Sequence, residues 1–188
     1  ASLNTALGFL TMRANTTGAG NVGIGAEALD ANTTGARNTA VGANALGANT
    51  TGTRSTAVGF DALTVATTGN YNTAVGDIAL RENTTASYNT AVGMGALEKA
   101  TTGGFNVAVG SLALDANTTG ADNVGIGHDA LTAATTAASN TAVGALAGKA
   151  ITTGALNTFI GALCGDAVTT GGQNVAVGQN SLGSTTTA

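Results

Sequence analysis

Apolar and polar positions along the chain recur with a period of 17 residues. Asn32-Thr33-Thr34-Gly35 returns as Asn49-Thr50-Thr51-Gly52, and Thr39-Ala40-Val41-Gly42 returns as Thr56-Ala57-Val58-Gly59. Position one of each period is the residue at Asn4, Asn21, Asn38, Ser55, Asn72, Asn89, Asn106, Asn123, Asn140, Asn157 and Asn174, eleven copies with no insertion. Position four is always Leu, Ile or Val, and position five is always Gly, from Gly8 to Gly178. Position nine is Leu in eight copies and Met12 in a ninth. Positions thirteen and fourteen are Thr-Thr in every copy, and position fifteen is Gly or Ala.

This period is too short for paired-helix repeats, which need about 33 residues. The Gly, Asn, Thr and Val content also disfavours helix. Each period instead predicts two short strands and two turns. Positions one to five form the first strand, and the glycine at five opens a turn because it accepts positive φ. Positions nine to fourteen form the second strand, and position fifteen opens the second turn. Identical coils then stack and pair with the coils above and below. The expected fold is all-β, a β-solenoid of eleven 17-residue coils with two short strands per coil, one repeat domain over residues 1–188. Its stability sums over neighbouring coils, and at ~4.8 Å per coil the rod is roughly 50 Å long.

Strand alternation assigns the faces. Positions two and four are expected to point into the core, with one and three outward. Leu at nine points inward and carries Thr thirteen with it, so that Thr fourteen points outward. The Ala or Gly row at position three then forms a flat outer face suited to close packing in a trimer. Coils nine and ten depart from the pattern: Gly148 and Gly165 replace the Leu, while Leu146 and Leu163 stand two residues earlier. A modified turn is expected there, with Cys164 as an inert thiol in a small-residue slot. Ala1 and Ala188 both fall on position fifteen, with no capping segment, which suggests a piece of a longer array or end-to-end stacking through open strand edges.

Composition narrows the function. Only 9% of residues are charged and 3% aromatic, there is no Pro or Trp, and the net charge is −4. Nucleic-acid binding needs clustered Lys and Arg, and the acidic balance argues against it. No apolar run reaches 18 residues and no charged-then-apolar leader stands at the start, so neither a membrane span nor an intact signal peptide is expected. One cysteine excludes an internal disulfide framework and a Cys-based zinc site.

The phrase Asn-Thr-Ala-Val-Gly-x-x-Ala-Leu-x-x-Asn-Thr-Thr-Gly resembles repeats of phage tail fibres and related surface fibres. It is also similar in style to the head repeats of trimeric autotransporter adhesins, whose period is shorter. The resemblance covers the whole chain. It implies an extracellular, cell-surface or virion-borne fibre that associates with itself as trimers or filaments and presents or spaces a binding surface.

Candidate chemistry is sparse. The glycine-rich stretches lack the lysine and the strand-to-helix setting of a phosphate loop. His128 stands at a turn position, and the scattered acids Asp61, Asp77, Asp115, Asp129 and Asp166 mark no glycosidase pair. No catalytic, cofactor-binding or metal-binding residue is expected. Three surface features remain. Tyr71, Tyr88 and Phe105 share position seventeen in consecutive coils and should stack, as a solenoid edge or a glycan platform. Thr17, Thr34, Thr51, Thr68, Thr85, Thr102, Thr119, Thr136, Thr153 and Thr170 form an outward ladder resembling the ice-binding face of β-solenoid antifreeze proteins. Asn15, Asn32, Asn49, Asn83 and Asn117 begin Asn-x-Thr sequences, which are either glycan acceptors or hydrogen-bonding turn residues. The expected activity is that of a structural or adhesive fibre, with ice binding as the alternative and no enzymatic function.

Overall fold

A computed structural model describes residues 3–184, 186 and 187; Ala1 and Ala188, on which the expectation about the ends rested, lie outside them. The chain is a β-solenoid. Its strands run from β1 (Thr5–Leu7) and β2 (Val22–Ile24) at one-coil intervals to β11 (Val175–Val177). They form one 11-stranded parallel sheet in sequence order. Each residue pairs with the one 17 further on, as Thr39 with Thr56 and Val41 with Val58. The β-branched residues at positions two and four suit this pleated surface.

The second expected strand is absent: each coil has a single strand of three residues. Positions nine to fourteen belong to a run of overlapping turns. In the second coil, Ala28 N donates to Gly25 O (3.4 Å), Asp30 N to Glu27 O (3.3 Å) and Asn32 N to Leu29 O (3.1 Å). Glu27 (φ 57°) and Leu29 (φ 53°) are the third residues of the first two turns, and both are left-handed, as a type II turn requires. The curled segment still bonds along the rod, with Leu29 N donating to Ala45 O (3.1 Å) and Ala31 N to Gly47 O (3.0 Å).

The expected facing of the strand is inverted. Position three is the core residue: Ala40, Ala57, Ala74, Ala91 and Ala108 are fully buried, while Ile24, Val58, Val75, Val92, Ile126 and Ile160 at position four are 36–42% exposed. The interior is too narrow for an aliphatic side chain from each side. A Cβ on Gly125 would already touch Leu114 Cγ at 3.2 Å, so the leucine of position nine fills the tube and leaves room for little more than a methyl group opposite. Leu29, Leu46, Leu63, Leu80, Leu97, Leu114 and Leu131 do point inward, beside alanines at position eight.

Position one also faces in, against expectation. Asn38 Nδ2 donates to Gly52 O in its own coil (2.8 Å), and Asn38 N donates to Asn21 Oδ1 of the coil before (2.9 Å). The same pair of bonds recurs at Asn21, Asn89, Asn123 and Asn157. These asparagines close each coil and link it to its neighbour, which satisfies their buried amides. Thr at position thirteen lies at the surface rather than in the core. Its hydroxyl donates to the carbonyl of the next position thirteen, as Thr33 to Thr50 O (3.0 Å) and Thr84 to Thr101 O (3.1 Å). The intervening turns break the parity that linked it to Leu nine.

Position five explains the invariant glycine. Its φ lies between 119° and 142° in every copy. From Gly8 to Gly161, an added Cβ would come within 2.3–2.7 Å of the carbonyl oxygen of the next coil's glycine.

Coils nine and ten keep the ordinary backbone, so the expected modified turn is not found. Gly148 (φ 61°) and Gly165 (φ 63°) are left-handed like the leucines they replace. The change lies in packing: Phe159 stands at position three, fully buried, where the other coils carry Ala or Gly. Cys164 occupies the position-eight alanine slot, fully buried, and its thiol donates to Ala176 O (3.2 Å). Burial pushes the Cys164 thiol above its ordinary value of 9.0, with a hydrogen bond from the Ile160 backbone opposing and Asp166 adding to the rise.

Candidate functional site

The inversion of the strand turns positions two and four outward. The sheet presents two columns, Thr or Val at position two and Leu, Ile or Val at position four, one pair per coil. No charged residue stands in either column. Phe60 and Met94, exposed at position six, flank the aliphatic column. The small-residue row at position three, expected to pack in a trimer, is interior and unavailable. The outward identity of position four was missed because aliphatic residues are usually buried; the near-uniform Ala and Gly at position three was the available signal.

The threonines of position fourteen, from Thr17 to Thr170, are all exposed. They stand in bends at a corner of the coil rather than on the sheet. The aromatic ladder forms as expected. Tyr71 and Tyr88 stack at 5.0 Å and Tyr88 and Phe105 at 4.9 Å, both pairs tilted by only 6°. Both faces of Tyr88 are therefore covered. The Arg54 guanidinium lies over Tyr71, 5.2 Å from the ring centre, and Arg54 Nη1 donates to the Tyr71 hydroxyl. A sugar cannot lie flat on either tyrosine while this stack holds. Beside Arg54 is a shallow hollow of about 430 Å³ lined by Ala19, Ala36, Arg37, Thr53, Arg54 and Tyr71.

The Asn-x-Thr residues do not fit a glycan-acceptor role in the folded coil. Asn32, Asn49, Asn83 and Asn117 are at most 1% exposed, and a glycan on a buried amide has no space. Asn15 is partly buried and donates to Gly18 O (3.1 Å). The first three form an interior amide ladder: Asn32 Nδ2 donates to Asn15 Oδ1 (3.0 Å) and Asn49 Nδ2 to Asn32 Oδ1 (2.7 Å).

His128 is exposed, with Nδ1 3.4 Å from Asp129 Oδ2. Asp61 accepts from Asn44 Nδ2 (3.0 Å) and Asp115 from Thr132 Oγ1 (2.7 Å). Among the described residues, no group of three His, Cys, Asp or Glu could hold a metal ion. None of their helices is long and apolar enough to cross a membrane. Comparison with known proteins finds no matching family model, no matching curated protein and no matching solved structure.

Proposed function

We propose that the chain is a structural, adhesive segment of an extracellular, cell-surface or virion fibre, and that its sheet face packs against further copies of itself. The observation that carries this is the aliphatic column of position four, which faces outward from Leu7 to Val177 and is exposed in eight coils and half-buried at Val41, Val109 and Val143. A stripe roughly 50 Å long and about 10 Å wide is on the order of 500 Å², at the upper end of what soluble monomers expose. It grows with each added coil, and a second copy presents the same spacing, so two stripes match along their length. The resemblance to tail-fibre and adhesin-head repeats points the same way.

Light scattering tests it. The expected mass is a multiple of 17.8 kDa, and Val75→Glu with Val92→Glu should return the protein to single rods. A wild-type monomer at high concentration would overturn self-association. Ice binding is favoured, second, by the unbroken register of the exposed threonines from Thr17 to Thr170, joined by the threonines of position two on the sheet. A monomer that shows thermal hysteresis would establish that activity instead.

A further inference from the structure

The chain holds six Lys and Arg residues against a net charge of −4. Among the described residues, three of the six are ion-paired. Arg13 meets Asp30 one coil on (2.9 Å), Arg81 meets Glu98 one coil on and Glu82 beside it, and Lys99 meets Asp115 (3.6 Å). In the first two cases position ten sets opposite charges in adjacent coils, and in the third Lys99 at position eleven reaches Asp115 at position ten. Position seventeen does the reverse at one place: Arg37 and Arg54 follow each other directly, about 4.8 Å apart along the rod, with no carboxylate of the described residues in ion-pair reach of either.

Arg54 is also held in place. Its guanidinium is clamped over Tyr71 and bonded to the Tyr71 hydroxyl, and Tyr71 is backed by Tyr88. The stack therefore fixes a cation at its end instead of leaving it to wander in solvent. The hollow beside it exists because position sixteen carries only Ala19, Ala36 and Thr53, while Gly20 leaves the place before Arg37 empty of a side chain. Thr53 turns its hydroxyl to Asn70 Oδ1 (2.9 Å). The charged donors left to a visitor are the two guanidiniums, the Tyr71 hydroxyl keeps its own proton to donate, and no carboxylate lines the hollow.

We propose that this hollow binds an acidic sugar residue, its carboxylate or sulfate held between Arg37 and Arg54. Guanidinium forks recognise both groups through paired hydrogen bonds. A volume of about 430 Å³ exceeds the need of a bare ion and falls within the usual range for small-molecule pockets. Its open side lets a polysaccharide chain continue past the site. The hollow is independent of the sheet face, so the site and the self-association stand or fall separately.

Calorimetric titration with a heparin oligosaccharide tests the site, with inorganic sulfate and a neutral dextran oligosaccharide as separate arms. The heparin fragment should bind at low ionic strength and weaken as salt rises. Arg37→Gln with Arg54→Gln should lower its affinity roughly tenfold or more. Tyr71→Phe keeps the stack and a ring under Arg54 but removes the hydroxyl bond that orients it, and should give an affinity between wild type and the double variant. Circular dichroism on each variant checks that the coils persist. No heparin binding at low salt, binding unchanged in the double variant, or equal binding of dextran would overturn the proposal. Sulfate binding as tightly as the oligosaccharide would overturn the sugar part of it.

Discussion

Phe159 fills the space that a side chain on Gly165 would need: a Cβ there would come within 2.7 Å of Phe159 Cε2 and Cζ. One on Gly148 would meet Phe159 Cδ2 at 3.1 Å. The large residue has moved from position nine to position three, and two adjacent coils have given up their leucines to admit it.

This exchange predicts non-additive mutations. Phe159→Ala alone should cost about 3–5 kcal/mol through the cavity it leaves. Gly165→Leu alone overpacks and should cost about 1–3 kcal/mol or more. Phe159→Ala combined with Gly148→Leu and Gly165→Leu restores the pattern of the other coils, so it should be more stable than Phe159→Ala. Urea unfolding midpoints measure all three, and strictly additive losses would count against the size exchange.

The amide ladder at position twelve stops at Asn49, whose Oδ1 has no partner, because the next coil carries Ala66. Ala66→Asn would supply an amide to that oxygen and an acceptor to Asn83 Nδ2, which is also unpartnered. Placing a polar residue in this core should therefore raise stability, by about 1 kcal/mol. A lowered melting temperature would mean that the ladder cannot be extended.

Asn83 and Asn117 share position twelve yet should respond oppositely to alanine. Asn117 Oδ1 accepts from Gly120 N (2.8 Å) and its Nδ2 donates to Gly120 O (3.1 Å). Asn83 has neither bond, since its position fifteen is Ala86, where a methyl group takes up room: a Cβ on Gly35 would stand 2.3 Å from Asn32 Oδ1. Asn117→Ala should destabilise by about 1 kcal/mol, and Asn83→Ala should stabilise by a similar amount by removing two buried orphan atoms. Ala66 and Ala100 already occupy the equivalent place, buried. Equal losses in thermal melts of the two variants would refute the difference.

The raised pKa of Cys164 sets an alkaline limit. Above its ordinary value of 9.0 the thiol ionises in the unfolded chain but stays protonated in the fold, so unfolding binds hydroxide and stability falls as pH rises. Below that value the contribution is constant. Stability measured from pH 7 upward should decline above about 9, and Cys164→Ala should flatten the decline. An identical slope in that variant would place the effect elsewhere.

The period, the glycine of position five, the inward Leu29 and the outward Thr34 were legible in the sequence because each follows from spacing or from one residue's chemistry. The direction of Val41 and Asn38 was not. Alternation holds only within an unbroken strand, and here the strand is three residues long, with left-handed residues at Arg37 before it and Asn44 after it. Size was the better guide than polarity: only Ala40 fits opposite the neighbouring leucine. The Arg37–Arg54 pair was visible as two letters one period apart, but its hollow depends on the missing side chain of Gly20.

The backbone bonds between coils run along the rod, so a pull on its two ends loads every junction in series. Such a rod yields at its weakest junction, as a chain does at one link. The threonine and asparagine columns reinforce most junctions, while the junction between the coils of Ser55 and Asn72 has no position-twelve bond, and there a serine hydroxyl accepts from Asn72 N at 3.2 Å in place of the amide oxygen that accepts at 2.8–3.0 Å elsewhere. Under tension, that stretch is where the coils should part first, with the coils on either side remaining wound.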